Sequence, residues 1–210
     1  MMFKTIDWQI KDDIGHLVLN QPPANTMTRL FFDELGHLTK HVIPGTHLKA
    51  LIIYGNGRHF SAGADHHELK EYIMENLPFN YPDEIPSFLK ENLQSFFYLD
   101  QLAIPTFAAI RGACFGSALE LALSCKYRIC GEGTVLGFPE SSFGLMPGCG
   151  GSVRLAGIVG KARAIELMIS GRNFSAEEAY KWGLVHKILP RKVVIEETVI
   201  LAKEISNRRL

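Results

Sequence analysis

Two short apolar runs, each followed at once by a turn of small residues, most constrain the fold of this chain. Lys49–Tyr54 has the pattern of a buried strand that ends at Gly55, and Thr106–Ile110 has the pattern of a second strand, introduced by Pro105. The small residues after each run lead into helical patterns. Strand, glycine turn and helix in this order predict βαβ-like units and an α/β fold.

The rest of the chain mixes strands and helices in the same way. Alternation in Phe3–Ile10 and in His16–Leu19 predicts a β-hairpin. Apolar residues at helical spacing predict an amphipathic helix over Thr28–His41. The segment 77–86 holds several prolines and little periodicity, so it is predicted to be a loop. Further helices are predicted at 161–170, at 175–182 and from 192 onward.

Composition excludes several classes of protein. A chain of 210 residues with 47% hydrophobic content and no compositional break fits one globular domain. Basic and acidic residues balance at 22 each, so nothing indicates nucleic-acid or membrane-surface binding. Residues 1–13 carry acids and lack the apolar core of a secretory signal, and the apolar run Thr106–Leu123 is interrupted by Arg111 and Glu120. We therefore expect a soluble, cytoplasmic protein with no nucleic-acid or membrane partner.

The pattern of cysteines is also typical of a cytoplasmic protein. They form no CxxC pair and lie in apolar stretches, which is typical of reduced thiols in a cytosolic core. The four are Cys114, Cys125, Cys130 and Cys149.

The histidines do not predict a metal site. His37 and His41 are four apart on a predicted helix, but no glutamate completes an HExxH pattern. The adjacent His66 and His67 would point in different directions on a helix, so a shared metal is not expected. Ser117 lacks the GxSxG elbow of a serine hydrolase.

Two carboxylates lie in glycine-punctuated apolar stretches. Glu120 is found in GACFGSALELAL and Glu140 in VLGFPESSFGLMPGCGG. An ionised carboxylate among such residues loses several kcal/mol of hydration, so it is normally paired, hydrogen-bonded or partly protonated. The pair therefore suggests acid and base chemistry. The alternative is that each is an ordinary surface glutamate.

Two turns of small residues follow the predicted strands. The first is HFSAGAD at 59–65, and the second is RGACFGSALE at 111–120. Small residues allow a ligand close to the backbone, and the N–H groups at a helix start are unpaired. Two such groups aimed at one carbonyl would form an oxyanion hole. The alternative is that both are ordinary tight turns.

Together these motifs resemble the enoyl-CoA hydratase/isomerase family, the crotonases. The run PGCGGSVRL at 147–155 belongs to the resemblance, and LNQPPANTMT at 19–28 is similar to the family's N-terminal strand and CoA-contacting loop. The resemblance covers nearly the whole chain. It implies the crotonase-like α/β fold, a spiral of ββα units with two sheets surrounded by helices. Residues 1–190 would form the core domain, and 191–210 would begin a C-terminal helical region that is shorter than in the family.

The resemblance also implies roles for four residues. The oxyanion-hole amides would belong to Ala64 and Ser117. The second position is usually glycine in the family, so the serine side chain would narrow the pocket or add a polar contact. Glu120 would act as the base toward water and Glu140 would deliver a proton to the substrate. Family members that lack one carboxylate tend toward isomerisation, so the pair argues for hydration of a 2-enoyl-CoA.

Substrate contacts are implied as well. The acyl-CoA thioester would be the substrate, with no separate cofactor, and the protein would be a homo-oligomer, a trimer or hexamer. The segment between Glu75 and Ser87 is longer than expected and falls where the family's acyl pocket wall lies. The implied contact residues are Ala24, Ala62, Asp65, His66, Leu69, Gly116, Pro139 and Gly148.

Two other functions stay open. One is an enoyl-CoA isomerase or another enolate-forming crotonase, such as a thioester hydrolase or decarboxylase. The other is a paralogue that binds acyl-CoA without turnover. Loss of the conjugated thioester absorbance of crotonyl-CoA separates a hydratase from an isomerase, and CoA affinity with no turnover of any thioester identifies the non-catalytic paralogue.

Overall fold

A computed structural model describes residues 3–76 and 87–208. Within these residues a main sheet has the strand order β1-β2-β3-β4-β6-β9, and a smaller sheet has the order β5-β7-β8. The strands are β1 Ile6–Lys11, β2 Ile14–Leu19, β3 Ala50–Gly55, β4 Thr106–Ile110, β5 Ala113–Phe115, β6 Tyr127–Gly131, β7 Val135–Gly137, β8 Asn173–Ser175 and β9 Lys187–Leu189. The helices are α1 Arg29–His37, α2 His66–Asn76, α3 Ser87–Gln101, α4 Ser117–Leu123, α5 Gly151–Val159, α6 Lys161–Ser170, α7 Ala176–Lys181 and α8 Val194–Asn207.

The predicted N-terminal hairpin is confirmed. Strands β1 and β2 pair antiparallel up to Lys11 and Ile14. The two residues between them, Asp12 and Asp13, have φ angles of 52° and 62°. Positive φ at both positions is the backbone of a type I′ turn, whose twist matches that of the flanking strands.

The remaining strands of the main sheet run parallel. Strands β3 and β4 pair in the register of Leu51 with Thr106, which confirms the two strands predicted first. The pairings of β2 with β3, of β4 with β6 and of β6 with β9 are parallel as well. Parallel strands need crossover connections, so the predicted βαβ-like organisation is confirmed. Their carboxyl ends lie at one edge of the sheet.

Apolar residues alternate between the two faces of this sheet. Leu51 and Ile53 belong to the larger core, which includes side chains of α1, α3 and α4. Ile52 lies on the opposite face in a second cluster with Val194 and Ala202 of α8. Because helices cover both faces of the main sheet and a second sheet lies beside it, the crotonase-like α/β class is confirmed.

Several boundaries differ from those predicted. Helix α1 ends at His37 and continues as a wider π-helical turn over Leu38–Val42, whereas a regular helix was predicted to His41. Helix α6 matches its predicted bounds, and α7 and α8 begin within the predicted segments. The small sheet was not predicted, because strands of three residues are too short for a periodic pattern. The predicted loop 77–86 lies outside the described residues.

Three other findings concern the described part of the chain. No helix there is long and apolar enough to cross a bilayer. No group of three potential metal-ligating side chains is found in the same residues. All four cysteines are buried and unpaired, and burial raises the pKa of each thiol.

Candidate active site

The two glycine-containing turns meet in the folded chain. The Ser61 N–H donates to the carbonyl of Ala113 at 3.1 Å, and the Phe115 N–H donates to the carbonyl of Ser61 at 3.2 Å. A Cβ built on Gly63 would lie only 3.7 Å from the backbone nitrogen of Ser117. The first turn therefore packs along β5 and reaches the start of α4.

In the described part of the chain, each turn has one backbone N–H group that is free to donate to a ligand, that of Ala64 in the first turn and that of Ser117 in the second. Met27 and Ala64 form a parallel β-bridge, but its hydrogen bonds involve the residues on either side of Ala64. The Met27 N–H donates to the carbonyl of Gly63 at 2.8 Å, and the Asp65 N–H donates to the carbonyl of Met27 at 3.0 Å. In a parallel bridge the bonds come from the flanking residues, so the N–H of Ala64 itself is not used. Ser117 begins α4, where N–H groups lack intrahelical acceptors. Neither N–H has an acceptor within residues 3–76 and 87–208.

Gly116 lets this backbone approach Glu140. Its φ is +52° with ψ at −125°, a conformation that favours glycine. A Cβ at this position would lie 3.0 Å from Oε1 of Glu140. The Gly116 N–H donates to the carbonyl of Gly137 at 3.0 Å, which fixes the turn on β7. Glycine here therefore lets the residue before Ser117 pack directly against the Glu140 carboxylate.

Glu120 lies on the first turn of α4 and is 1% exposed. Its Oε1 accepts the N–H groups of Cys149 and Gly151, both at 2.8 Å. Burial raises the pKa of this carboxyl from 4.5 to about 6, and the two backbone bonds oppose the rise. The interpretation of Glu120 as an ordinary surface glutamate is therefore wrong.

Glu140 lies on a 3-10 segment, Pro139–Phe143, and is half-buried. Its Oε2 is buried, and no hydrogen-bond partner for it is found in the described part of the chain. Burial, and secondarily the charge of Glu120, raises the pKa of Glu140 from 4.5 to about 7. Burial thus favours the protonated form of both carboxyls, and the two backbone bonds to Glu120 favour the ionised form of that residue.

Two of the predicted contact residues join neighbouring loops. The Ala62 N–H donates to the carbonyl of Ala24 at 2.9 Å, which holds the 19–28 loop against the first turn. Pro139 precedes Glu140 on the 3-10 segment. The backbone amide of Gly148 helps to lower the pKa of Glu120. Pro139 and Gly148 thus lie next to the carboxylates, and Ala24 and Ala62 join the two loops that lead to Ala64.

The other predicted contacts lie at the start of α2. Oδ1 of Asp65 accepts the N–H groups of His67 and Glu68 at 2.9 and 3.1 Å, so this carboxylate caps the helix. The Leu69 N–H donates to the carbonyl of Asp65 at 3.0 Å. The ring of His66 stacks on Phe143, with ring centroids 4.3 Å apart. The α2 start therefore contacts the segment that carries Glu140.

Asn25 is a structural residue of the site that the sequence analysis missed. It is 2% exposed, and its Nδ2 donates to the carbonyls of Asn56, His59 and Phe60 at 2.9 to 3.1 Å. These bonds clamp the 19–28 loop to the segment after β3. The sequence does contain an indication of this role, because an asparagine after prolines, as in PPAN, is typical of a turn that its side chain stabilises.

Arg154 was missed as well. Its Nη1 donates to the carbonyl of Cys149 at 2.7 Å, and its Nε lies 3.6 Å from Asp100. Its charge lowers the pKa of Glu120, although burial has the larger effect in the other direction. Arg154 thus supports the loop that binds Glu120 and favours the ionised carboxylate.

Gly151 is sterically required beside Glu120. A Cβ here would lie 2.6 Å from Cγ of Glu120 and 2.8 Å from its Oε1. We expect Gly151→Ala to lower the free energy of unfolding by about 1–3 kcal/mol through overpacking, as measured by urea denaturation. Gly157→Ala, on the same helix with nothing within 4 Å, is the control and should be neutral or stabilising. Equal effects of the two substitutions would contradict this packing.

The buried charge of Glu120 predicts a pH-dependent stability. Because the folded-state pKa lies above the unfolded value, the folded protein loses stability as pH rises from about 4.5 to about 6, by about 2 kcal/mol. Glutamine carries no charge, and its oxygen can still accept both backbone bonds. We expect Glu120→Gln to have an equal or higher melting temperature than wild type at pH 8. A large loss of stability at pH 8 would contradict this electrostatic account.

Comparison with known proteins identifies the family. The model of the family described as enoyl-CoA hydratase/isomerase matches residues 9–209. The chain is 33% identical over 206 residues to the protein named probable enoyl-CoA hydratase, mitochondrial, of Dictyostelium discoideum, covering 98% of the chain and 71% of that protein. It is 34% identical over 209 residues to the fatty acid oxidation complex subunit alpha of Shewanella frigidimarina, covering 97% of the chain.

The chain spans only 28% of the Shewanella protein's length. Among solved structures, a candidate enoyl-CoA hydratase from Thermobifida fusca in complex with CoA superposes with a TM-score of 0.82 at 25% identity, covering 96% of this chain and 78% of that one. The family model and the Dictyostelium relative each match nearly the whole chain. The chain therefore belongs to the enoyl-CoA hydratase/isomerase family.

Proposed function

We propose that this chain adds water to the double bond of a 2-enoyl-CoA thioester. The observation that carries the proposal is the pair Glu120 and Glu140, both with raised pKa values, beside the available N–H of Ser117. Perturbed carboxylates next to unpaired backbone donors are typical of sites that perform acid and base chemistry. Family membership and the CoA complex of the Thermobifida neighbour support an acyl-CoA substrate.

In the proposed reaction the thioester oxygen accepts hydrogen bonds from the Ala64 and Ser117 N–H groups. Addition at Cβ moves electrons onto this oxygen and forms an enolate. Donors already in place for the developing charge stabilise it, and one such donor contributes about 3 kcal/mol. Because both donors are backbone groups of packed turns, little reorganisation accompanies the reaction.

The two carboxylates divide the proton transfers. Ionised Glu120 takes a proton from water while the hydroxide oxygen bonds to Cβ of the substrate. Protonated Glu140 gives its proton to Cα as the enolate returns to the thioester. The assignment follows the environments, since two backbone donors favour charged Glu120 and Glu140 has the higher pKa. These steps use no cofactor besides the CoA thioester itself.

The substrate path is part of the same proposal. The acyl-CoA would pass the loops joined by the bond between Ala24 and Ala62 and the α2 start that Asp65 caps. The Ser117 side chain would narrow this path near the thioester. Further contacts are proposed for His66, Leu69, Gly116, Pro139 and Gly148.

A one-base isomerase is the second candidate. Oε2 of Glu140 is buried without a partner among the described residues, and the pKa of this carboxyl is about 7. Such a group could carry a proton between Cα and Cγ of an enoyl-CoA. Glu120 would then have only a structural role through its bonds to Cys149 and Gly151.

An absorbance assay separates the two candidates. A hydratase removes the conjugated thioester absorbance of crotonyl-CoA, whereas an isomerase creates that absorbance from a 3-enoyl-CoA. We expect loss of absorbance with crotonyl-CoA and no gain with the 3-enoyl substrate. The opposite pattern would favour the isomerase, and tight CoA binding without turnover of either substrate would favour a non-catalytic paralogue.

We further propose assembly as a trimer or a dimer of trimers. Several large apolar side chains of α5 and α6 are exposed, among them Val153 at 76% and Ile169 at 68%. Exposed apolar side chains of this size are typical of surfaces that contact another chain.

A further inference from the structure

Three arginines lie together at the carboxyl edge of the main sheet. Arg58 follows β3, Arg111 follows β4 and Arg191 follows β9. Because β3, β4, β6 and β9 are parallel, their carboxyl ends lie at the same edge. Loops at this edge of an open α/β sheet are the usual place for a ligand.

Backbone carbonyls hold two of these guanidinium groups in place. Nη2 of Arg111 donates to Gly57 at 3.0 Å and to Gly55 at 3.3 Å. Nη2 of Arg191 donates to the carbonyl of Arg58. A guanidinium has five N–H donors, so each of these two keeps several for a ligand. The side chains are thus oriented before any ligand arrives.

Arg191 is close enough to affect Arg111, and both Arg58 and Arg191 are close enough to affect His59. Burial lowers the pKa of Arg111, and the charge of Arg191 lowers it further. Burial and then the charges of Arg58 and Arg191 lower the pKa of His59. A Cβ built on Gly112 would lie 2.6 Å from Nδ1 of His59 and 2.9 Å from Nη2 of Arg191. The absence of a side chain at Gly112 therefore allows the cluster to form.

No carboxylate neutralises this cluster in the part of the chain that the structure describes. None of the three arginines forms an ion pair there. Arg172, by contrast, pairs with Glu166 at 2.8 Å and with Glu178 at 3.1 Å. Like charges held together without a counter-ion repel, and an anion would relieve the repulsion. The planar fork of arginine suits phosphate oxygens in particular.

We propose that Arg58, Arg111 and Arg191 form a binding site for the phosphate groups of an organic ligand. Ser117 is five positions beyond Gly112, so Gly112, which adjoins the cluster, lies at most about 18 Å from the start of α4. At that distance the phosphates could belong to the CoA substrate or to a separate phosphorylated molecule. The site itself does not depend on the proposed hydration, because binding can be measured without turnover.

Calorimetric titration with pyrophosphate at low ionic strength tests the site. We expect wild type to bind it and Arg58→Gln and Arg191→Gln to bind roughly tenfold or more weakly, since each loses a charge-assisted contact. Arg58→Gln removes no side-chain hydrogen bond within the described chain, so its fold should be intact by circular dichroism. Arg163→Gln makes the same charge change on α6 and should bind like wild type.

A second comparison identifies the source of the phosphate. If the site takes the substrate's own phosphates, Arg58→Gln raises KM for crotonyl-CoA but not for crotonyl-pantetheine, which has none. If it takes a separate ligand, KM for both is unchanged while pyrophosphate binding is still lost. Absence of pyrophosphate binding to wild type, or equal binding by wild type, Arg58→Gln and Arg191→Gln, would overturn the proposal.

Discussion

Glu140→Gln and Glu120→Gln are each expected to lower kcat for crotonyl-CoA hydration by roughly 10²–10⁴-fold, the usual contribution of a general acid or base. Glutamine keeps the shape of the side chain but transfers no proton. Because Glu120 is already fixed by two backbone bonds and Glu140 by its place on the 3-10 segment, CoA binding should change little. Steady-state kinetics and CoA titration measure the two effects separately.

The matched control is Glu132→Gln. Glu132 is an exposed glutamate in the turn after β6, and its substitution should leave kcat unchanged. If both site variants kept activity within a fewfold of wild type, the roles proposed for the carboxylates would be wrong. Loss of hydration in Glu140→Gln alone would instead indicate that Glu140 performs the proton transfers and that Glu120 has only a structural role.

Ser117→Pro is expected to lower turnover by roughly 10²–10³-fold, since proline removes the N–H that is proposed to bind the thioester oxygen. Ser117 is the first residue of α4, a position where proline is well tolerated. The helix should therefore persist, and circular dichroism checks this. The substitution thus removes one donor without changing either carboxylate.

Ser117→Gly is the matched control for this position. It keeps the N–H and removes only the Cβ and hydroxyl, so turnover should be kept or raised and bulkier acyl groups accepted. If Ser117→Gly and Ser117→Pro lowered turnover equally and both variants were folded, the side-chain hydroxyl of Ser117 would be the group required for the reaction. The oxyanion-hole proposal for this turn would then fail.

Local pattern was enough to predict much of this molecule. The hairpin, β3, β4 and α6 follow from alternation and helical spacing, because each is long enough to show its period. Burial of Glu120 was predictable for the same reason, since the residues around it on α4 are apolar. Helix α4 has no polar face that could expose the Glu120 carboxylate to solvent.

Long-range packing could not be predicted in this way. The approach of Gly63 to Ser117 and the bonds from Cys149 and Gly151 to Glu120 join segments that are about thirty or more residues apart in the chain. Family resemblance indicated these positions, but periodicity did not. The arginine cluster depends likewise on which strands are neighbours in the sheet, so a single sequence gives no signal for it.

Mass spectrometry of crotonyl-CoA after incubation tests the central claim most directly. We expect wild-type protein to form a product heavier than the substrate by one water, and to incorporate the label from ¹⁸O-water. The double variant Glu120→Gln/Glu140→Gln should form almost none. Absence of the hydrated product with folded wild-type protein, or its equal formation by the double variant, would contradict the proposed function.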